Sequence, residues 1–263
     1  MYTVALPFLD AIKFGLSFMT HSRRSLLRHL LAATALLDAY PSRAFDRNPS
    51  APVLGTMPDA HPSADILLAQ AHLLLTALHS PELTPFLNEW PHPSERRSSA
   101  PSAVPALRWL PQVKEAAPPF SAAFVDALAA AAPSLAWQRS YSPAAVGATF
   151  FDNYGWTEMI GLTGPTRSEH LACGVLLLGP HLIYPPHRHE AEEIYVPLSG
   201  TAEWRDGNDE WRERPPGSVI HHASYQPHAM RTAQAPMLAL YLWRSDNLAQ
   251  KSRLDPPAPA PTQ

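Results

Sequence analysis

The run Tyr184-Pro-Pro-His187-Arg-His189-Glu190-Ala-Glu192-Glu193-Ile-Tyr195-Val-Pro-Leu-Ser-Gly200 decides how the chain is read. In a strand, residues i and i+2 point to the same face. His187 and His189 therefore project together, and Glu193, Tyr195 and Pro197 share a face in the run that follows. A sheet that curls the second run beside the first brings two imidazoles and a carboxylate into one place. Donors of this kind suit Fe, Mn, Zn, Ni or Co and leave coordination positions open for a substrate. Downstream, Pro215-Pro216-Gly217 turns the chain, and Tyr225-Gln226-Pro227-His228 offers a further imidazole.

Around this run the chain has period two. From about Thr149, short strand-like runs recur every 8–12 residues: Ala172–Leu178, Glu193–Leu198, Ala202–Arg205, Glu210–Glu213, Ser218–His221 and Met237–Trp243. Asp206-Gly207, between two Trp-bearing runs, is a hairpin signal. Many short, evenly spaced strands indicate a barrel or sandwich. Upstream the pattern is helical, with Ala64–His79 and Phe120–Ala132 free of internal Gly and Pro, and a polar, proline-rich loop at Pro91–Pro105. Residues 1–40 read as two helices, roughly Leu6–Phe18 and Ser22–Ala39, and residues 41–63 as a linker. The expected architecture is mainly β with α: a helical extension and linker over 1–63, a helical region over 64–145 that packs on the barrel, a β-barrel over 146–250, and a disordered proline-rich tail over 251–263.

Composition narrows the function. The 263 residues carry 20 Lys and Arg against 23 Asp and Glu, a net charge of −3, so no global basic field attracts nucleic acid. A single cysteine, Cys173, excludes an intrachain disulfide and cysteine-cluster zinc sites; in its apolar run it reads as an inert core residue. No apolar run approaches the ~18 residues of a membrane span. The early apolar and later basic order of the N-terminus is the reverse of an export signal, so the expected compartment is the cytoplasm. The basic residues Arg23, Arg24 and Arg28 read as a solvated helix face, and the N-terminal helices as the means of forming a homodimer. No Gly-rich phosphate loop and no GxSxG elbow occurs. The partner that remains is a small-molecule substrate, with no nucleic acid and no membrane.

His187-Arg-His189, three residues, Glu193, six residues and Gly200 resembles the first conserved motif of cupins, and Pro216-Gly217 with His228 resembles the second. The resemblance implies a C-terminal cupin β-barrel, a double-stranded β-helix. Within cupins, YPPHRHEAEEIY is similar to the dimethylsulfoniopropionate (DMSP) lyases of the Ddd type, strongly over residues 145–245 and onward over the helices from about 64. Two positions depart: His181 stands where a glycine usually precedes the first motif, and the gap from Gly217 to His228 is long. The resemblance implies a divalent transition metal held by His189, Glu193, His228 and His187, with His187 either a ligand or a group that orients the site. His221 and His222 are rival ligands, of which alternation lets only one face inward. It also implies cleavage of DMSP to dimethyl sulfide and acrylate.

Tyr195 shares the inward face of Glu193 and is the expected general base, since a nearby cation favours a phenolate whose ordinary pKa is ~10. Tyr184, at the barrel mouth, is the expected substrate-binding or acid–base group. His187 is counted with the substrate contacts as well. Trp243, Tyr241 and Trp204 offer aromatic walls, and the resemblance places an aromatic near Trp243 in the pocket, where it suits a sulfonium. Two other readings use the same ligands: an Fe(II) cupin dioxygenase acting on a small acid or thiol, and a non-catalytic cupin that binds a ligand. Neither needs the two tyrosines.

Overall fold

A computed structural model describes residues 62–92, 97 and 99–255. The expected helices at 6–18 and 22–39, the homodimer they were expected to form, the linker up to 61, and residues 256–263 lie outside the described residues. Helix α1 (Pro62–Ala77) and helix α4 (Pro119–Ala131) match the two expected helical runs to within two residues. Between them stand the one-turn α2 (Thr84–Leu87) and α3 (Leu110–Glu115). In α1, Ala64, Leu67, Leu68, Ala71, Leu74 and Leu75 are buried, and in α4 Phe124, Val125, Leu128 and Ala131. These i, i+3, i+4, i+7 stripes face each other and the barrel. Proline, 30 of the 263 residues, has a structural use here: α2, α3, α4 and the short helix α5 (Pro143–Val146) each carry Pro in the first turn. There its fixed φ is preorganised and its missing N–H costs nothing.

Among the described residues, twelve strands form two sheets. The larger runs in the order β1 (Trp137–Gln138), β2 (Tyr154–Gly161), β4 (Leu171–Leu178), β11 (Met237–Arg244), β6 (Glu192–Ser199), β9 (Ile220–His222), with β3 (Thr166–Arg167) parallel to β2. The smaller runs β12 (Arg253–Leu254), β5 (Ile183–Arg188), β10 (His228–Thr232), β7 (Ala202–Asp206), β8 (Arg212–Arg214). All other pairings are antiparallel. The expected period-two pattern from Thr149 begins a little later, because Ala148–Asn153 is a helix (α6) and β2 starts at Tyr154. Asp206-Gly207 turns β7 into β8, with Gly207 at φ +53°.

The large sheet separates two cores. On its outer face Cys173, Val175, Leu177, Val196, Leu198, Leu238, Leu240 and Leu242 pack under the helices. On its inner face Ala172, Leu176, Leu178, Tyr195, Met237, Ala239 and Tyr241 join Tyr184, Trp204 and Met230 of the small sheet. Because both faces of β4 are covered, all eight of its residues are buried and it reads as a continuous apolar run rather than an alternating one. Cys173 is wholly buried on the outer face, as expected, and burial pushes its thiol upward. Ser121 Oγ donates to Leu198 O at 2.7 Å and Ser199 Oγ to Val113 O at 2.6 Å, pinning the end of β6 to α4 and α3. At Gly200 (φ +74°) a Cβ would lie 2.0 Å from Pro236 O, so only glycine allows the turn out of β6.

Arg253–Leu254 falls inside the stretch expected as a disordered tail. Up to Asp255 the chain instead returns to the barrel. Arg253 and Leu254 pair with Arg188 and His187, and Arg188 Nε donates to Asp255 Oδ1 at 2.6 Å. Among the described residues, no helix is long and apolar enough to cross a membrane.

Candidate active site

Strand pairing assembles the site from distant stretches of sequence. His187 on β5 lies opposite His228 on β10, so the second imidazole motif meets the first across one ladder of the small sheet. Glu193 on β6 lies opposite Trp243 on β11 and His222 on β9 in the large sheet. The two sheets then face each other. A nitrogen of His187, of His189 and of His228 all lie within 4.8 Å of one another, and the three residues are buried. Glu193 Oε2 stands 2.9 Å from His189 Nε2 and 3.1 Å from His228 Nε2.

Each imidazole is fixed by a backbone carbonyl of its own. Nδ1 of His187 donates to Pro185 O, that of His189 to Ala191 O and that of His228 to Gln226 O, each at 2.9 Å. A carbonyl only accepts, so Nδ1 of each ring carries a proton and the Nε2 atoms turn to the shared centre, where His189 Nε2 donates to Glu193 Oε2 at 2.9 Å. His228 Nε2 is buried with no hydrogen bond of its own, despite its approach to Glu193. Three imidazoles whose Nε2 atoms converge beside a carboxylate fit a divalent transition metal, which would take the place of the proton that His189 Nε2 shares with Glu193. Burial pushes the His187 imidazole well down, with His228 beside it adding to the effect, and keeps it in the neutral form that ligates. For Glu193, burial works upward, but the neighbouring His189 and His228 outweigh it and hold the carboxyl well below the usual range.

Trp243 does more than line a wall. Its Nε1 donates to Glu193 Oε1 at 2.6 Å, and its ring stacks on His189 at 4.1 Å and 29°. It therefore orients two of the converging groups. Of the two rivals, His222 faces inward: it is fully buried and stacks on His228 at 4.1 Å and 7°. His221 is turned outward and meets Glu192 at 2.7 Å. His222 is not among the three clustered imidazoles; its Nδ1 lies 2.9 Å from Asp206 Oδ1.

A cavity of about 380 Å³ opens over this centre, lined by Tyr184, His187, Glu193, Tyr195, Tyr241 and Trp243 among others. Tyr195 and Tyr184 are both buried, and burial pushes both phenols well above their ordinary value; for Tyr195 the Glu193 charge adds to this. Tyr184 stacks on His187 at 4.1 Å and 11°. Its hydroxyl joins a chain that sequence reasoning missed: Tyr141 Oη lies 3.1 Å away and Tyr154 Oη 3.5 Å, and Tyr141 donates to Ser252 Oγ at 3.1 Å. Trp204 is buried in the barrel interior and does not line the cavity. Trp156 and Glu158, also missed, do line it. Their signal was the inward alternation Tyr154, Trp156, Glu158 along β2.

Fold and donor set together define a cupin-type double-stranded β-helix with a histidine–carboxylate centre inside it. The sequence profile of the dimethylsulfoniopropionate lyases matches residues 84–239, more than half the chain, and the chain belongs to that family. It is 41% identical over 125 residues to the DMSP lyase DddQ of Ruegeria pomeroyi, covering 48% of this chain and 62% of that one. It is 33% identical over 119 residues to the putative DMSP lyase DddL of Cereibacter sphaeroides, covering 44% and 49%. The chain thus spans less than two thirds of the length of either curated relative. The crystal structure of DddQ from Ruegeria pomeroyi superposes with a TM-score of 0.68 at 32% identity, over 76% of this chain and all of that one.

Proposed function

We propose that the chain is a carbon–sulfur lyase that cleaves DMSP by metal-assisted β-elimination to dimethyl sulfide and acrylate, with Tyr195 as general base. The observation that carries this reading is a buried tyrosine, one side-chain repeat beyond Glu193 on β6, opening on the same cavity as the histidine centre. His187, His189, Glu193 and His228 would hold a divalent ion, which would supply Lewis-acid polarisation of a carboxylate and favour a nearby phenolate.

The chain's own groups do the rest. Tyr195 removes a proton from the carbon next to the carboxylate. The C–S bond breaks, its electron pair leaves on sulfur as neutral dimethyl sulfide, and the remaining carbons become acrylate. A sulfonium is a good leaving group, so the elimination needs no strong acid. The proton taken by Tyr195 returns to water. Tyr184, fixed by Tyr141 and by its stack on His187, orients the substrate against the base. Trp243 holds Glu193 in place and lines the cavity. A dioxygenase on the same ligands would give the buried tyrosine pair no task.

The test is to incubate the purified protein with DMSP and measure dimethyl sulfide by headspace gas chromatography and acrylate by liquid chromatography. One-to-one release that a chelator abolishes is the expected result. No release with Fe(II), Mn(II), Zn(II), Ni(II) or Co(II) bound would overturn the reading.

A further inference from the structure

The cavity has a second pole. Across the large sheet one register line runs from Glu158 on β2 to Gly174 on β4, Tyr241 on β11 and Tyr195 on β6. The adjacent line runs from Ala172 through Trp243 and Glu193 to His222. From β6 to β2 is three strand spacings, about 14 Å along the sheet. The floor between is small: Ala172 and Gly174 on β4. A Cβ at Gly174 would lie 2.6 Å from Tyr241 Oη, so the glycine lets the Tyr241 ring lie over β4 toward β2. Trp156, two residues before Glu158 and lining the same cavity, meets Tyr241 at 6.4 Å and 84°, and Tyr241 meets Trp243 at 6.5 Å and 66°. Three rings at steep angles thus wall the cavity, with a carboxylate beyond them.

Glu158 is held by its own turn. Thr163 N, Thr163 Oγ1 and Gly164 N donate to Oε1 at 2.5, 2.9 and 2.8 Å, all three on one oxygen. Arg97 braces that turn through the carbonyls of Gly164 and Gly161 rather than through the carboxylate. Arg139, which also lines the cavity, is engaged by Asp152 at 3.7 Å and by the Phe151 ring. The Tyr241 phenol is pushed well up, by burial first and by the Glu158 charge second, which places that charge at the aromatic wall.

We propose that Glu158, with Trp156 and Tyr241, forms an onium subsite that binds the cationic end of a small zwitterion, sulfonium or quaternary ammonium, whose carboxylate points to the histidine centre. Aromatic faces attract a diffuse cation and a fixed carboxylate completes the match. The subsite sets polarity: it turns a zwitterion so that its cationic end faces the Trp156 and Tyr241 rings and its carboxylate faces the histidine centre. It rests on the lyase reading for the choice of sulfonium, but the binding chemistry is common to any small betaine.

The test uses two unreactive ligands of equal shape, 3-(trimethylammonio)propanoate and its uncharged-tail isostere 4,4-dimethylpentanoate, titrated calorimetrically into the full-length protein. The wild type is expected to prefer the cationic ligand at least about tenfold. Glu158→Gln keeps an acceptor for the Thr163–Gly164 turn and removes the charge. It is expected to erase most of that preference by weakening the cationic ligand alone. Trp156→Leu should lower the preference about threefold or more, and Trp156→Phe should restore it. A preference unchanged in Glu158→Gln, or no preference in the wild type, overturns the subsite. If Glu158→Gln does not fold, as judged by circular dichroism, the Leu and Phe pair at 156 decides. Preference without dimethyl sulfide release defeats the lyase reading and leaves the subsite standing; release with a preference blind to Glu158 and Trp156 does the reverse.

Discussion

The two faces of the large sheet are built from the same strands and do opposite work. Along β11, Leu238, Leu240 and Leu242 point out to the helices, while Ala239, Tyr241 and Trp243 point into the barrel. The outer set is aliphatic and dry. The inner set is aromatic, titratable and lines a cavity. Neighbouring residues on one backbone therefore answer to different demands: packing outside, chemistry inside. A substitution outside should change stability with little effect on catalysis, and one inside should do the reverse.

The largest expected effect breaks the inner face at its centre. Replacing His189 or Glu193 by Ala removes one of the converging donors, and elemental analysis should find metal reduced to traces and dimethyl sulfide release abolished. The fold survives, because the outer core is untouched. A variant that keeps both metal and turnover would contradict this assignment of donors.

The outer face is broken by Leu240→Ala. Leu240 is wholly buried under the helices, so the lost packing and the cavity left behind cost about 2–5 kcal/mol. Denaturant unfolding should show this loss, while kcat/KM of the folded fraction stays within about twofold of wild type. A large fall in kcat/KM would mean that the two faces are coupled through the sheet.

The smallest effect lies at the rim. Glu192 meets His221 at 2.7 Å and bonds Arg244, outside the centre. Burial alone would raise its carboxyl, but bonds from His221 and Arg244 outweigh this and lower it. A lowered acid stabilises the fold above its unfolded pKa of ~4.3, and this contribution is lost as pH falls through the lower folded value. Glu192→Gln should cost less than about 1 kcal/mol at pH 7 for a partly exposed pair. The difference from wild type should shrink below pH 4. A difference that grew with acid would reverse the sign of the shift.

The first motif was legible because strand period two placed His187, His189, Glu193 and Tyr195 without any knowledge of neighbours, and the glycine at 200 marks the turn after β6. Alternation allows only one of His221 and His222 to face inward and leaves the choice open; the register that sets His222 opposite Glu193 decides it. What was not legible depends on contacts between distant segments. Tyr141 meets Tyr184 across 43 residues, and Ser252, near the end of the described chain, accepts from Tyr141. Arg253–Leu254 looks like the start of a proline-rich tail and becomes ordered by pairing with β5. Alternation along β2 puts Glu158 on the inward face with Tyr154 and Trp156, but only the register across β4 and β11 shows that this face reaches the cavity. Trp243 was read as a wall for substrate; its hydrogen bond to Glu193 depends on which residue of β6 lies opposite.

The most direct measurement is turnover of DMSP by Tyr195→Phe, made on protein whose metal content and melting curve match wild type. The substitution removes one hydroxyl from the inner face and leaves the ring, the histidines and Glu193 in place. Dimethyl sulfide release should fall on the order of 10²- to 10⁴-fold, the size of a lost general base, with metal retained. Release within a few-fold of wild type would contradict the assignment of Tyr195 as the base and move the search to Tyr184.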